Sequence, residues 1–539
     1  MSTVAVAPDE RPTGRTLVAI FGALMLGMFL AALDQTIVST ALPTIAGDLG
    51  GLNQLSWVVT SYLLASTASA PLYGKLGDMY GRKPMFLAAI VIFLGGSVLA
   101  GASQSMIELV GFRALQGLGA GGLMVGAQAI IGDIVTPRER GRYMGLIGAV
   151  FAVASVAGPL LGGFLVEQLS WRWVFYVNMP VGALALVIVW LRLRLPARTR
   201  RHQIDYLGAT LLTGGVSALV LLTTWGGTEY PWSSPVILAL GAAGAVLLAA
   251  FVVQERRAAE PVVPLKLFRS SIFRVSSAMA FVIGFAMFGA IVFLPLYLQL
   301  VYGASPTSSG LRMLPLMAGL LVASIGSGRI ISRIGRYRAF PIVGTATLTV
   351  GMFLLSRLEA DTAPWVASAY MLVVGLGIGL VMQVLILVVQ NDAPSEDIGV
   401  ATSTATFFRS VGGSFGVALF GAIFASRLAT ELGHLPVAAV ARLGSGVQLN
   451  PAEAAQLPPA VHAQFLVAFS NALDAVFLWG APIALVAFGL SWLLKEVPLR
   501  DSVHGPAAEE AAAGGAGSEA LAEPGRPAPA PAPSAAGGS

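Results

Sequence analysis

The sequence predicts an all-α polytopic membrane protein of fourteen spans, with both termini in the cytoplasm. Three observations carry this expectation. Of 539 residues only 11% are charged and 56% are hydrophobic, and the mean hydropathy is +0.79; a soluble chain carries about 25% charged residues. Apolar runs of roughly 20 residues recur along the chain, the length that a hydrocarbon core about 30 Å thick requires. Lys and Arg collect in every second connection between those runs, as they do in cytoplasmic loops.

Taken in order, residues 1–15 are polar and Pro-containing and read as a disordered cytoplasmic tail. The apolar run that follows is too long for a signal-peptide core and has no small-residue cleavage site, so it reads as a retained first span. The spans fall at 17–42, 55–73, 85–104, 106–132, 143–167, 174–194, 206–226, 235–254, 274–298, 308–328, 340–357, 365–389, 398–426 and 467–494. With the N-terminus inside, only Arg172, Arg312, Arg357, Arg427 and Arg442 lie at the outer side, and Arg113 and Arg409 lie within spans. Every other basic residue is cytoplasmic, which sets the orientation and an even number of spans. Residues 427–466 form the one long outer loop. Residues 499–539 form a cytoplasmic tail whose Ala, Pro, Gly, Ser and Glu cannot bury enough apolar area to fold.

Several chemistries are excluded early. The chain has no Cys, hence no disulfide, no thiolate nucleophile and no Cys-ligated metal. None of the four His falls in an apolar run. Gly117–Gly122 spells GxGxxG, but within an apolar helix with no preceding strand, so the dinucleotide reading fails. Gly412–Gly416 spells GxSxG, but no span holds a His to act as base. There is no Walker motif. The expectation is a non-enzyme with no cofactor, no metal and no nucleic-acid partner.

The chain repeats itself. Gly74-Lys75-Leu76-Gly77-Asp78-Met79-Tyr80-Gly81-Arg82-Lys83 follows span 2, and Gly328-Arg329-Ile330-Ile331-Ser332-Arg333-Ile334-Gly335-Arg336 follows span 10. Gly, Gly and Arg match at equal offsets, and Ser332 replaces the acid. The repeat predicts a six-helix bundle over 16–200, two inserted spans over 201–265 and a second six-helix bundle over 266–498. Parallel repeats of this kind place a substrate site between the halves near the midplane.

These residues resemble the major facilitator superfamily, in particular the fourteen-span drug:H⁺ antiporters of the EmrB/QacA type. The resemblance covers about 17–494. Leu33–Pro43 is similar to that group's first-span motif, Trp57–Leu64 to its second span, and Gly74–Lys83 to the superfamily's loop signature. Arg113-Ala114-Leu115-Gln116-Gly117-Leu118-Gly119 resembles the fourth-span motif. Gly145 and Gly158-Pro159-Leu160-Leu161-Gly162-Gly163 resemble the two ends of the fifth-span antiporter motif, with Ala154 in place of its usual Gly. Trp171–Pro180, Leu294–Gln299 and Tyr302–Pro306 are typical of the fourteen-span group. The resemblance implies a major facilitator fold of two six-helix bundles plus two inserted helices, in a bacterial cytoplasmic membrane, working as a monomer without a bound cofactor.

Asp34 is the first candidate for proton coupling. A carboxylate at a helix centre costs about 2.5 to 3.5 kcal/mol to insert. Asp34 lies eight residues from the outer end of span 1 and Arg113 about seven from that of span 4. At 1.5 Å per residue both sit about 10–12 Å below the outer surface, which permits a buried pair. Gln116, one turn deeper on the same face, extends the polar path and is expected to face the cavity. Arg409, near the middle of span 13, finds no acid in spans 10, 12 or 13 and is expected to face the cavity with Tyr62, Trp57, Gln299 and Gln383. Asp474 in span 14 is a secondary acid candidate.

The loop Gly74, Asp78, Gly81, Arg82 and Lys83 reads as a conformational latch. Asp78 and Arg82 are four apart and pair locally, and Asp78 also reaches a helix N-terminus or a neighbouring base such as Arg142. By resemblance the latch favours the outward-open state. Gly158, Pro159, Gly162 and Gly163 form a bendable, close-packing hinge face. The function expected is proton-gradient-driven export of amphipathic or cationic drugs, a lone carboxylate favouring lipophilic cations. The rivals are export of one dedicated substrate (a self-made antibiotic, siderophore or lipid) and a non-transporting sensor or scaffold, which has no use for buried charges.

Overall fold

The computed structural model describes residues 14–49, 55–195, 205–227, 229–433 and 458–499. The expected tails over 1–13 and 500–539, the middle of the outer loop and most of the junction near residue 200 lie outside the described residues. Sixteen α-helices follow: α1 Gly14–Leu49, α2 Leu55–Tyr80, α3 Arg82–Ala102, α4 Met106–Ile134, α5 Pro137–Gln168, α6 Trp173–Tyr176, α7 Asn178–Arg192, α8 Tyr206–Trp225 and α9 Pro235–Glu255; then α10 Ser271–Leu300, α11 Pro306–Arg312, α12 Leu314–Ile334, α13 Ala339–Leu355, α14 Pro364–Asp392, α15 Ile398–Leu432 and α16 Pro459–Trp492. No strand occurs among the described residues.

Of the fourteen apolar runs, all but two fall on a single helix each. Among the described residues, twelve stretches are long and apolar enough to cross a membrane. Two expected spans fall outside that set. The α13 helix is shorter, and α2 carries Thr60, Ser61, Ser66, Thr67 and Ser69 along its length. Two expected spans are broken near one end: α6 and α7 meet just before Pro180, and α11 and α12 meet just before Pro315. Proline supplies no N–H and its ring clashes with the preceding turn. The outer loop is shorter than 427–466, because α15 runs on to Leu432 and α16 starts at Pro459.

Helix starts follow local chemistry. Ser105 caps α4 by accepting from Glu108 N–H at 3.3 Å, and Glu108 Oε2 accepts from Gln104 N–H at 2.9 Å; this reciprocal pattern satisfies two orphan donors. Thr136 followed by Pro137 opens α5 and Ser234 followed by Pro235 opens α9, with proline where its missing N–H costs nothing.

The helix pairings repeat. In the first set α1 packs on α5 and α7, and α4 on α2 and α3. In the second set α10 packs on α15 and α16, and α14 on α12 and α13. The sets meet where α2 crosses α15 and α5 crosses α12. The α8–α9 pair stands beside them, α8 touching both α2 and α15. Outward-facing apolar side chains such as Trp190, Leu238, Val246 and Trp365 cover the periphery, as a surface in contact with lipid requires.

Candidate functional site

The site begins with Asp34 on α1. Its carboxylate is fully buried and pairs with Arg113 on α4, itself 1% exposed. Asp34 Oδ2 accepts from Arg113, while Oδ1 accepts from Gln116 Nε2 at 2.8 Å and Asn178 Nδ2 at 3.2 Å. Every partner of the carboxylate is therefore a donor. Arg113 also donates to the Val58 carbonyl at 3.3 Å and to Gln116 Oε1 at 2.7 Å, and its guanidinium lies 4.2 Å from the Tyr62 ring centre. Ser97 Oγ accepts from Gln116 at 3.1 Å and from Asn178 at 3.0 Å, and donates to the Phe175 carbonyl at 2.9 Å. One cluster thus ties together α1, α2, α3, α4, α6 and α7. Equal depth suggested the Asp34–Arg113 contact, and the helices bring it about.

Asn178 and Ser97 were missed. Asn178 stands at the first residue of α7, where the break before Pro180 turns its amide toward Asp34. An Asn in an apolar run just ahead of a Pro is the signal that marks it.

A cavity of about 340 Å³ opens between the two helix sets, in the size range of small-molecule sites. Arg113 and Tyr62 line it from the first set and Arg409, Thr406 and Ser410 from the second, with Phe151, Met287, Phe288, Met317 and Met382 as apolar wall. Asp34 is behind Arg113, not on the wall, and among the described residues no acid lines the cavity. The expected preference for lipophilic cations therefore has no counter-charge there.

Other expected cavity residues lie elsewhere. Trp57 packs edge-on against Trp225 of α8 at 4.9 Å. Gln116 is wholly buried behind Arg113, and Gln299 and Gln383 are not on the wall. Neither amide atom of Gln383 has a partner among the described residues. Asp474 sits off the cavity, within electrostatic reach of Glu359 and Arg357 beyond the end of α13.

At the far end of the sets, Gly81 turns the chain from α2 into α3 with φ +98°, a region open to glycine. Arg82 pairs with Asp78 and, at 2.9 Å, with Asp133. Asp78 also accepts from the N–H groups of Gly399 at 3.3 Å and Val400 at 2.8 Å. Of the two partners expected for Asp78, it is the helix N-terminus that these bonds supply: Asp78 caps α15 across the seam, where an anion is favoured. Gly74 lets α2 approach so closely that a Cβ there would lie 2.8 Å from the Gly399 carbonyl. Lys83 is turned away, donating to the Trp190 carbonyl at 2.8 Å.

The second seam uses the opposite charge. Arg138 donates to the carbonyls of Ser332 at 3.2 Å and Arg333 at 3.1 Å, capping the C-terminus of α12. Gly145 faces Ser324, whose hydroxyl donates to the Gly145 carbonyl at 3.2 Å. Farther along α5, a Cβ on Gly158 would lie 2.7 Å from Thr36 Cβ, and one on Gly162 2.8 Å from the Ile37 carbonyl. This face packs α5 tightly on α1. Pro159 turns toward Gly310 of α11, and Gly163 is half-buried.

The family model described as Major Facilitator Superfamily matches residues 24–417. An uncharacterized MFS-type transporter of Mycobacterium tuberculosis is 47% identical over 503 residues, 92% of this chain and 72% of that one. The multidrug transporter protein MdtP of Bacillus subtilis is 36% identical over 519 residues, 92% of this chain and 95% of that one. Among solved structures, the proton:xylose symporter XylE superposes with a TM-score of 0.60 at 14% identity, covering 90% of this chain and 98% of that one; this likeness concerns the fold alone.

Proposed function

This chain belongs to the Major Facilitator Superfamily, a family of transporters and not of enzymes, and we propose that it is a proton-driven exporter of amphipathic organic molecules. The observation that carries the reading is the buried Asp34–Arg113 pair, with Arg113 on the wall of the cavity between the helix sets and Asp34 directly behind it. A multidrug transporter at 36% identity supports the substrate class. We read fourteen spans, adding α2 and α13 to the twelve that pass on length and apolarity, with the two sets as homologous halves. The Lys and Arg bias supports a cytoplasmic position for the Asp78 end, in a bacterial cell membrane.

In this arrangement the cytoplasmic seams are closed by Asp78 and Arg138. A proton reaching Asp34 on either oxygen must face a donor, so protonation displaces Arg113, Gln116 or Asn178. Displacing Arg113 alters the cavity wall itself. Outward-facing Asp34 takes a proton as substrate leaves; inward-facing Asp34 loses it as substrate is readmitted. A substrate that binds one state better shifts the equilibrium only by that difference.

Inverted vesicles from cells expressing wild type or Asp34→Asn test the reading. A pH-sensitive dye reports proton movement on addition of lipophilic cations, anions and neutral compounds in turn. Dequenching with wild type and none with Asp34→Asn is expected. Equal responses from both proteins would remove Asp34 from the coupling step.

A further inference from the structure

Arg409 is the charge that the proton-coupling reading leaves unused. It stands on α15 between Thr406 and Ser410, and all three line the cavity. Among the described residues it makes no ion pair, hydrogen bond or ring contact, in contrast to Arg113 across the cavity. The acids of the second set lie at its ends. Asp397 is held by Lys266 at 2.7 Å, Glu359 and Asp474 cluster beyond α13, and Asp34 is enclosed by three donors. The second set also gives the cavity wall Met287, Phe288, Ile291 and Met317. A cation on such a wall is under-solvated, and intramembrane charges are retained where a partner arrives.

We propose that Arg409 is the substrate-recognition cation of this cavity, and that it selects amphipathic molecules carrying an anionic group, such as a carboxylate or sulfonate, over their cationic counterparts. The guanidinium takes the anion in a two-pronged, charge-assisted contact, with the Thr406 and Ser410 hydroxyls beside it. The apolar body lies on the Met and Phe side chains. A volume of about 340 Å³ suits a small organic molecule. The proposal deepens the exporter reading and rests on it for the direction of transport, but substrate binding is measured without transport.

The test uses purified full-length protein in phosphatidylcholine nanodiscs. Fluorescence titrations compare anilinonaphthalene sulfonate with phenylnaphthylamine, the same aromatic body without the sulfonate, and with ethidium. Wild type is expected to bind the sulfonate at least about tenfold more tightly than the amine, the range of a charge-assisted hydrogen bond. Arg409→Gln loses that advantage while binding the neutral amine as before, which also shows that it is folded. Arg409→Lys retains most of it. Equal binding of sulfonate and amine to wild type, tighter binding of ethidium, or an equal loss of both probes in Arg409→Gln overturns the proposal. An Arg409-dependent loss of sulfonate binding when phosphatidylglycerol is added assigns the anion to a lipid headgroup and overturns the small-molecule form. An unchanged anion preference in a protein that exchanges no protons leaves this inference standing and defeats the coupling reading instead.

Discussion

Replacing Asp34 by Asn isolates what the buried pair contributes. The substitution is close to isosteric but removes the charge. Oδ1 and Oδ2 both face donors, so the new amide NH₂ points at a donor whichever way it turns. Arg113 keeps the Val58 carbonyl, Gln116 Oε1 and the Tyr62 ring. Breaking a buried pair from one side costs about 3–5 kcal/mol, and the surviving acceptors and ring offset about 1 kcal/mol of that. The expected loss is about 2–4 kcal/mol. Asp34→Asn combined with Arg113→Gln removes the stranded charge, so the double variant is expected to be more stable than Asp34→Asn alone, with a coupling of about 2 kcal/mol or more. Unfolding by SDS in mixed micelles, followed by tryptophan fluorescence, reads all four proteins. A single-variant loss under about 1 kcal/mol, or strict additivity, refutes the argument that these charges stabilise one another.

Four further outcomes are expected. Trp57→Ala changes transport less than about twofold, because the ring packs on Trp225 and not on the cavity; a tenfold loss measured in vesicles would return it to the substrate path. Gly399→Ala places a methyl against Arg82 and the Asp78 carboxylate, so cysteines introduced singly at the Asp78 end of this Cys-free chain react faster with a soluble maleimide; unchanged labelling rates contradict the latch. Gly158→Val drives the side chain into Thr36 and lowers stability by about 1–3 kcal/mol, read by the same SDS unfolding. Burial raises the pKa of Tyr337 above its ordinary value, so the stability it contributes is complete below about pH 10 and falls as pH climbs through the raised value. Its hydroxyl ties the chain after α16 through Lys495 at 2.9 Å and Val497 at 3.1 Å, so proteolysis of that segment is expected to rise at high pH in wild type and to be pH-independent in Tyr337→Phe.

The all-helical fold was legible because hydrocarbon thickness sets segment length, a one-dimensional signal. The Asp34–Arg113 contact was legible for a similar reason: depth along a helix is a count of residues. What a count does not give is azimuth. Trp57 and Tyr62 lie on one helix barely more than a turn apart, yet Tyr62 lines the cavity and Trp57 meets α8. The partner of Asp78 was open for the same reason, since only the assembled seam distinguishes the α15 N-terminus from Arg142. Asn178 was hidden because its role depends on a break between α6 and α7, within a run that reads as one continuous span.

The placement of α8 makes the two seams mechanically unequal. Leu212, Val216 and Val220 of α8 interlock with Leu64, Ala68 and Leu72 of α2 and with Phe407 of α15, so one helix is spliced onto both halves at once. The α5–α12 seam is instead a meeting of Gly141, Gly145, Ser324 and Gly328, with backbone against backbone. Parting α5 from α12 breaks the Arg138 and Ser324 hydrogen bonds, and parting α2 from α15 also strips α8 from one of its two supports. Parting the two helix sets on the α2–α15 side therefore has to move α8 as well, a demand that the α5–α12 side does not carry.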